Sequence, residues 1–142
     1  MMTKIHSYGE GDTSYQAAGQ LAGLTQLVND FYDYMETLPV AKVIRDMHPA
    51  DMRETRIKLI YFLSGWLGGP KLYQQHYGPI RLPQFHQSLP IAEAERDAWM
   101  LCMEKAVAQQ PFSDAFKHYL LKQLWVPAQR INTACSGYQS RL

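Results

Sequence analysis

The sequence predicts an all-α domain in which helices pack in pairs across one another. Apolar residues recur at spacings of three and four along most of the chain, as in helices with one buried face. No long stretch alternates apolar and polar residues with the period of two that a half-buried strand requires. With 142 residues, of which 46% are hydrophobic and 19% charged, the chain is long enough to bury one core.

The first long helix is expected to follow a short polar arm. Residues 1–13 contain Gly9 and Gly11 and few apolar side chains, so we expect a flexible arm before a single domain over residues 14–142. Pro39 should end the helix, because proline has no backbone N–H to donate and restricts the residue before it. The apolar positions of this helix are Leu21, Leu24, Leu27, Val28, Phe31, Met35 and Leu38.

A second helix is expected after His48-Pro49-Ala50-Asp51, and Gly68 supplies its C-terminal stop. Its apolar face is formed by Met52, Leu59, Phe62, Leu63, Trp66 and Leu67. Residues 78–90 are too rich in proline for a long helix and can hold at most one turn, around residues 84–87.

Helical periodicity returns at Ile91 and should end before Pro111. Its apolar stripe comprises Trp99, Cys102, Met103, Ala106 and Val107. Ser113 is the expected N-cap of a last helix, which Pro127 should kink or end. That helix would bury Phe116, Leu120 and Leu124.

Charge and composition argue against several classes of protein. The net charge of +1 and the absence of a basic stripe give no case for nucleic-acid binding. The longest apolar stretch, residues 59–67, is too short to span a membrane, and residues 1–15 have no signal-peptide core, so we expect a cytoplasmic protein. Cys102 and Cys135 form no zinc motif, and two cysteines are too few for a disulfide-stapled fold.

His86 is the candidate metal ligand, because it lies in a short segment between Pro83 and Pro90 that could present its imidazole to a buried cofactor. Taken alone, such a histidine is far more often an ordinary surface or core histidine. His6, His76 and His118 are weaker candidates, lying in the arm or at positions that look exposed. A Met/His pair is a further option by residue type, although methionine most often fills core gaps. Its candidates are Met47, Met52, Met100 and Met103.

Four stretches, in this order and spacing, resemble the group II truncated haemoglobins. They are Phe31-Tyr32, residues 62–70, residues 78–86 and residues 95–100, and the resemblance extends over residues 15–107. It implies a two-over-two sandwich of helices B, E, G and H, with a very short F segment that carries the histidine ligand of a haem. The implied cofactor is haem b, and the implied ligands are dioxygen, carbon monoxide and nitric oxide, with peroxide as a possible substrate.

Carried over by position, the resemblance makes His86 the proximal iron ligand, Tyr32 the distal tyrosine of helix B and Trp99 the tryptophan of helix G. His48 falls at the turn between helices C and E. Thr55 and Leu59 match distal positions of helix E. Lys58 and Arg81 match cations near the haem propionates. The apolar residues that could face the porphyrin are Leu59, Phe62, Leu63, Leu72, Phe85 and Met103.

The chain departs from the family pattern at two places. Pro83, Gln84 and Phe85 stand where relatives often have basic residues, so Arg81 would carry more of the propionate contacts. The paired glycine expected near the first turn is half lost, as Gly19-Gln20, so the first helix could pack differently.

Tyr32 and Trp99 are expected to donate hydrogen bonds to the iron-bound ligand, and His48 to add a donor or relay a proton. The alternatives are that Tyr32 and Trp99 are core aromatics bonded to backbone carbonyls, and that His48 caps a helix or is solvated. Several donors should slow the release of dioxygen, since they stabilise its partial negative charge.

Three classes of function follow. The first is a redox enzyme, either a nitric oxide dioxygenase or peroxidase-like, which would need an external electron donor or reductase. The second is an oxygen store, carrier or gas sensor. The third is a helical interaction protein without a cofactor. In each case we expect a monomer or weak dimer.

Overall fold

We analysed a computed structural model of the chain. It describes residues 8–79 and 93–140, with side chains described up to residue 126 and at residue 128. Seven α-helices lie in these ranges: α1 (Thr13–Ala17), α2 (Gln20–Thr37), α3 (Lys42–Asp46), α4 (Arg53–Trp66), α5 (Leu72–Tyr77), α6 (Glu93–Ala108) and α7 (Asp114–Ser140), with a 3-10 turn at Pro39–Ala41. The described ranges contain no strand, so the predicted all-α class is confirmed.

The core is formed where α2 packs against both α4 and α6, and α6 packs against α7. This gives the two-over-two arrangement, with α2, α4, α6 and α7 in the places of helices B, E, G and H. The apolar stripe predicted for α2 is buried over most of its length, at Leu24, Leu27, Val28, Phe31 and Met35. Phe116, Leu120 and Leu124 of α7 are buried as predicted.

The predicted C-terminal ends of α2 and of α4 are both confirmed. Thr37 is the last residue of α2, two positions before Pro39. At the end of α4, Gly68 adopts φ +90°, and the Gly69 N–H donates to the carbonyl of Ser64 at 2.8 Å, which is the Schellman pattern. The predicted cap of α7 is also present, because Ser113 Oγ accepts a hydrogen bond from the backbone N–H of Phe116 at 3.2 Å.

Three local features differ from the expectations or extend them. The predicted elements did not include α5, a six-residue helix after Gly68. Of the two outcomes predicted for Pro127, an end of the helix is wrong, since α7 continues to Ser140, and a kink stays a prediction. An interior proline removes one backbone hydrogen bond and is a usual cause of a kink within a continuing helix. At the half-lost glycine pair, Gln20 still adopts the left-handed conformation, with φ +59° beside Gly19 at φ +82°.

The polar segment before α1 is in contact with the helices from Tyr8 onwards. The Tyr8 ring lies 5.2 Å from that of Phe116 and 5.1 Å from that of Tyr119. Ser14 Oγ accepts a hydrogen bond from the Gly9 N–H at 2.9 Å. The flexible arm stays a prediction for residues 1–7, which lie outside the described ranges. No helix in the described ranges has the length and apolar character needed to cross a membrane.

Candidate functional site

Tyr32 and Trp99 lie on different helices and are joined through one aromatic ring. Tyr32 is near the end of α2 and only 5% exposed, while Trp99 is half-buried on α6. The Phe31 ring contacts both edge to face, with centroids 4.8 Å from Tyr32 and 5.1 Å from Trp99. Such T-shaped contacts fix ring orientation as well as burying area. The packing of α2 on α6 thus brings the two predicted distal donors into one aromatic cluster.

The hydroxyl of Tyr32 is a permanent donor. Burial raises the pKa of Tyr32 far above its ordinary value, and the nearby positive charge of Arg56 opposes this only in part. The phenol therefore stays protonated at physiological pH. Its proton is available to a hydrogen-bond acceptor at all such pH values.

Neither donor makes a hydrogen bond within the described part of the chain. No hydrogen bond joins Tyr32 Oη or Trp99 Nε1 to another described residue. Among the described side chains, no fully buried nitrogen or oxygen atom lacks a partner, so these two atoms border accessible space. The alternative in which both are core aromatics bonded to backbone carbonyls finds no support among these residues.

His48 lies in the turn between α3 and α4, as predicted. Its Nδ1 is 2.7 Å from the carbonyl oxygen of Ile44. Because a carbonyl only accepts, Nδ1 carries the hydrogen, and Nε2 of the neutral ring is then an acceptor. The imidazole also meets the Tyr32 ring at 5.9 Å with an interplanar angle of 75°. His48 thus combines the capping bond considered above with a position beside the distal tyrosine, and it can donate through Nε2 only when doubly protonated.

The turn that carries His48 is held by Arg45. Its guanidinium donates to the carbonyls of Pro49 at 3.1 Å and Ala50 at 3.4 Å, and forms an ion pair with Glu36 at 3.4 Å. These bonds connect the end of α2, α3 and the turn that precedes α4. The position of His48 relative to Tyr32 is therefore defined by backbone contacts on both sides of the turn.

The other predicted haem-facing residues fall into two groups. One group is half-buried and borders solvent or open space; its members are Thr55, Leu59 and Phe62 on α4 and Leu72 on α5. The other group, Leu63 and Met103, is completely buried among the helices. Lys58 lies beside Glu54, with an Nζ to Oε1 distance of 3.7 Å, and its Nζ is 5.1 Å from the centre of the Tyr77 ring. The roles of these residues toward a haem stay predictions.

Three predicted site residues, His86, Phe85 and Arg81, lie outside the described residues, as does the departure at Pro83 and Gln84. The predicted iron ligand is therefore untested by geometry. The described residues nonetheless fit a haem with a polar ligand. Half-buried apolar side chains on α4 and α5 suit a flat apolar group, and two donors without described partners suit a ligand that carries negative charge.

A separate cavity of about 180 Å³ lies between the segment before α1, the end of α4 and α7. Its lining comprises Gly9, Gly11, Ser14, Gly65, Trp66, Leu67, Gly68, Tyr119 and Gln123. None of the predicted site residues contributes to it. The cavity is therefore distinct from the cluster around Tyr32.

Two contributors to the site were missed by sequence reasoning. Phe31 was expected only as a core residue, and Arg56 was not considered. Nothing in the spacing of Arg56 indicates its neighbours, because its contacts depend on how α4 crosses α2. An arginine on the partly buried side of an amphipathic helix is the one signal that could have drawn attention to it.

Comparisons with known proteins agree with the fold. The family model of the bacterial-like globins matches residues 13–131. The group 2 truncated hemoglobin YjbI of Bacillus subtilis (strain 168) is 33% identical over 117 residues, covering 82% of this chain and 86% of that protein.

Solved structures are similar over most of their length. The cold-adapted truncated hemoglobin from the Antarctic marine bacterium Pseudoalteromonas haloplanktis TAC125 superposes with a TM-score of 0.81 at 34% identity, covering 84% of this chain and 96% of that chain. The group II 2-on-2 hemoglobin from the plant pathogen Agrobacterium tumefaciens gives a TM-score of 0.81 at 31% identity, covering 92% and 97%. This chain therefore belongs to the bacterial-like globins, and among them to the group II truncated haemoglobins, in which haem binds diatomic ligands.

Proposed function

We propose that this chain binds haem b through His86, holds dioxygen tightly and uses it in redox chemistry, as a nitric oxide dioxygenase or in a peroxidase-like reaction. The observation that carries the proposal is the cluster of Tyr32 and Trp99. Two donor side chains from different helices contact the same Phe31 ring there, and neither has a hydrogen-bond partner among the described residues. Oxygen storage, transport or sensing is the alternative.

The two donors favour retention of a polar ligand. Haem, when bound, supplies the iron that takes the diatomic ligand and shifts electron density onto it. The Tyr32 hydroxyl and the Trp99 N–H would donate to that negative charge, and an indole N–H can only donate. Slow release suits a ligand that is held for reaction better than one that is delivered, which is why we favour redox chemistry over bulk transport.

The remaining residues take supporting roles in this proposal. His48 would relay a proton or, when doubly protonated, add a third donor. Thr55 would leave a small gate near the haem edge, and Leu59 would close the distal side. Lys58 and Arg81 would contact the propionates. For nitric oxide dioxygenation, nitric oxide, dioxygen and one electron give nitrate, and we place the source of that electron in a separate reductase. We further propose a monomer or weak dimer located in the cytoplasm.

The first test is the ultraviolet-visible spectrum of the ferric, reduced and carbon monoxide-treated protein, compared with His86→Ala. We expect a Soret band that shifts at each step, and loss of the iron–histidine signature in the variant. His118→Ala is the matched control, because His118 is exposed on α7 and should leave the spectra unchanged. A featureless spectrum after addition of hemin would reject the haem proposal and favour an interaction protein without a cofactor.

A second experiment separates redox chemistry from storage. The oxygenated protein is mixed with one equivalent of nitric oxide, and nitrate and the oxidation state of the iron are measured. Rapid conversion to nitrate that repeats on each addition of reductant supports dioxygenation. Peroxide consumption with an aromatic donor supports the peroxidase-like reaction, and failure of both with intact oxygen binding favours storage or sensing.

A further inference from the structure

Arg56 of α4 contacts α2 on both sides of Tyr32. Its Nη1 donates to the backbone carbonyl and to Oδ1 of Asn29, each at 3.1 Å. Its Nη2 donates to Oδ1 of Asp33 at 3.1 Å. Between these two residues, the guanidinium carbon lies 5.5 Å from the centre of the Tyr32 ring. One side chain thus contacts three residues within two turns of α2.

These contacts define the orientation of α2 and add little to the stability of the fold. The side chain of Asp33 is 67% exposed, so its ion pair with Arg56 contributes little to stability in water. The side chain of Arg56 is only 21% exposed, and its planar guanidinium makes three hydrogen bonds in fixed directions. A cation within about 6 Å of an aromatic face is attracted to it. The geometry therefore restricts where the Tyr32 ring can lie.

We propose that Arg56 is a positioning residue for ligand retention: it fixes the Tyr32 ring, and its charge strengthens the phenol as a hydrogen-bond donor. This inference rests on the proposed role of Tyr32 toward a bound diatomic ligand. Arg56 would not contact that ligand itself. Its effect on ligand release should therefore pass through Tyr32.

The chain provides a matched control at the other side of α2. Gln110, which follows α6 and is 4% exposed, donates through Nε2 to Oδ2 of Asp30 at 2.7 Å and to the carbonyl of Ala106 at 2.9 Å. This side chain also connects α2 to a neighbouring helix, but none of its hydrogen bonds involves Tyr32. Gln110→Met and Arg56→Met each replace an interhelical polar contact by an unbranched apolar chain.

The test measures the rate of dioxygen release in a double-mutant cycle. We expect Arg56→Met to accelerate release by about tenfold or less, in line with the loss of one partly buried cation–aromatic contact. In the Tyr32→Phe background the same substitution should have no further effect. Gln110→Met should leave release unchanged in both backgrounds. Equal acceleration by Arg56→Met with and without the Tyr32 hydroxyl would overturn the proposal, because Arg56 would then act on the fold in general.

A second readout does not depend on gas binding. Tyrosine is labelled with carbon-13 in the ferrous carbonmonoxy protein, or in the protein as purified if no haem is bound. The signals of Tyr32 are identified by their absence in Tyr32→Phe. Arg56→Met should shift and broaden these signals, and Gln110→Met should not. Unchanged signals in Arg56→Met would overturn the inference, whereas failure of the wild type to bind haem would reject only the proposed function.

Discussion

The substitution Tyr32→Phe separates the ligand role of the hydroxyl from a structural role. It removes one oxygen from a residue that is 5% exposed and keeps the ring that packs against Phe31 at 4.8 Å. No described residue loses a hydrogen-bond partner, so the free energy of unfolding should change by less than about 1 kcal/mol. Had the hydroxyl served a protein carbonyl, the loss would leave a buried acceptor unpaired and cost about 1–3 kcal/mol.

The effect on ligand release should be much larger. A hydrogen bond to a charged acceptor contributes about 1.5–3 kcal/mol, and every 1.4 kcal/mol corresponds to a factor of about ten, so release of dioxygen should accelerate by about 10- to 150-fold. Because Trp99 remains as a second donor, we expect the lower part of that range. Burial keeps the pKa of Tyr32 far above its ordinary value, so the difference between wild type and variant should persist unchanged from pH 6 to about pH 9.

The assay is stopped-flow displacement of dioxygen by excess carbon monoxide, paired with denaturant unfolding of the same samples. Tyr61→Phe is the control, since Tyr61 is half-buried on α4 and stacks on His76 at 5.0 Å, away from the Tyr32 cluster. An unchanged release rate together with a loss of 1–3 kcal/mol in unfolding would refute the reasoning, because the hydroxyl would then serve the protein and not the ligand.

Three further predictions concern the helices that carry the site. A Cβ at Gly68 would lie 1.9 Å from the carbonyl oxygen of Gly11, whereas a Cβ at Gly78, which has a similar positive φ, would meet no atom of the described residues within 4 Å. Gly78→Ala should therefore cost about 1–3 kcal/mol and Gly68→Ala more than about 3 kcal/mol in denaturant unfolding, and equal losses would contradict the contact. Gln20→Gly, which removes a side chain at φ +59°, should raise unfolding free energy by up to about 1 kcal/mol, and a lower value would show that its side-chain contacts outweigh the strain. Burial raises the pKa of Cys102 to about 11, so its thiol should react slowly at pH 8. In a variant with Cys135 replaced by serine, a thiol reagent should label Cys102 only at denaturant concentrations that unfold the protein. Rapid labelling at lower denaturant concentrations would contradict its burial.

The helices that the sequence predicted correctly are those with a long buried stripe. In α2 the apolar positions recur over 18 residues, and the proline that follows defines its end. The apolar periodicity and the proline therefore indicate the same helix. By contrast, α5 has only six residues and none of them is buried, so no stripe exists to be recognised. Its position depends on contacts such as the stacking of His76 on Tyr61, which local sequence does not encode.

Candidate residues of the site could be named from the sequence, but their arrangement in space could not be predicted. The resemblance to a family selected Tyr32, Trp99 and His48, whereas the periodicity of α6 treats Trp99 as an ordinary core position and the apolar stripe predicted for α2 omits Tyr32. That Phe31 joins them, and that Arg56 lies over Tyr32, depends on how three helices cross. A crossing is determined by side chains far apart in sequence, which no single stretch reveals.

A row of small residues is buried on α6. Ala98, Cys102 and Ala106 follow one another at intervals of four and are at most 3% exposed, and α6 packs against both α2 and α7. Small side chains on a helix leave room for a neighbouring helix to approach, and α6 also carries Trp99, whose ring lies 5.1 Å from that of Phe31 on α2. A larger side chain at Ala98 would separate the helices and move the indole away from Tyr32. The packing of α6 on α2 is therefore part of what brings Trp99 to the Phe31 ring that Tyr32 also contacts.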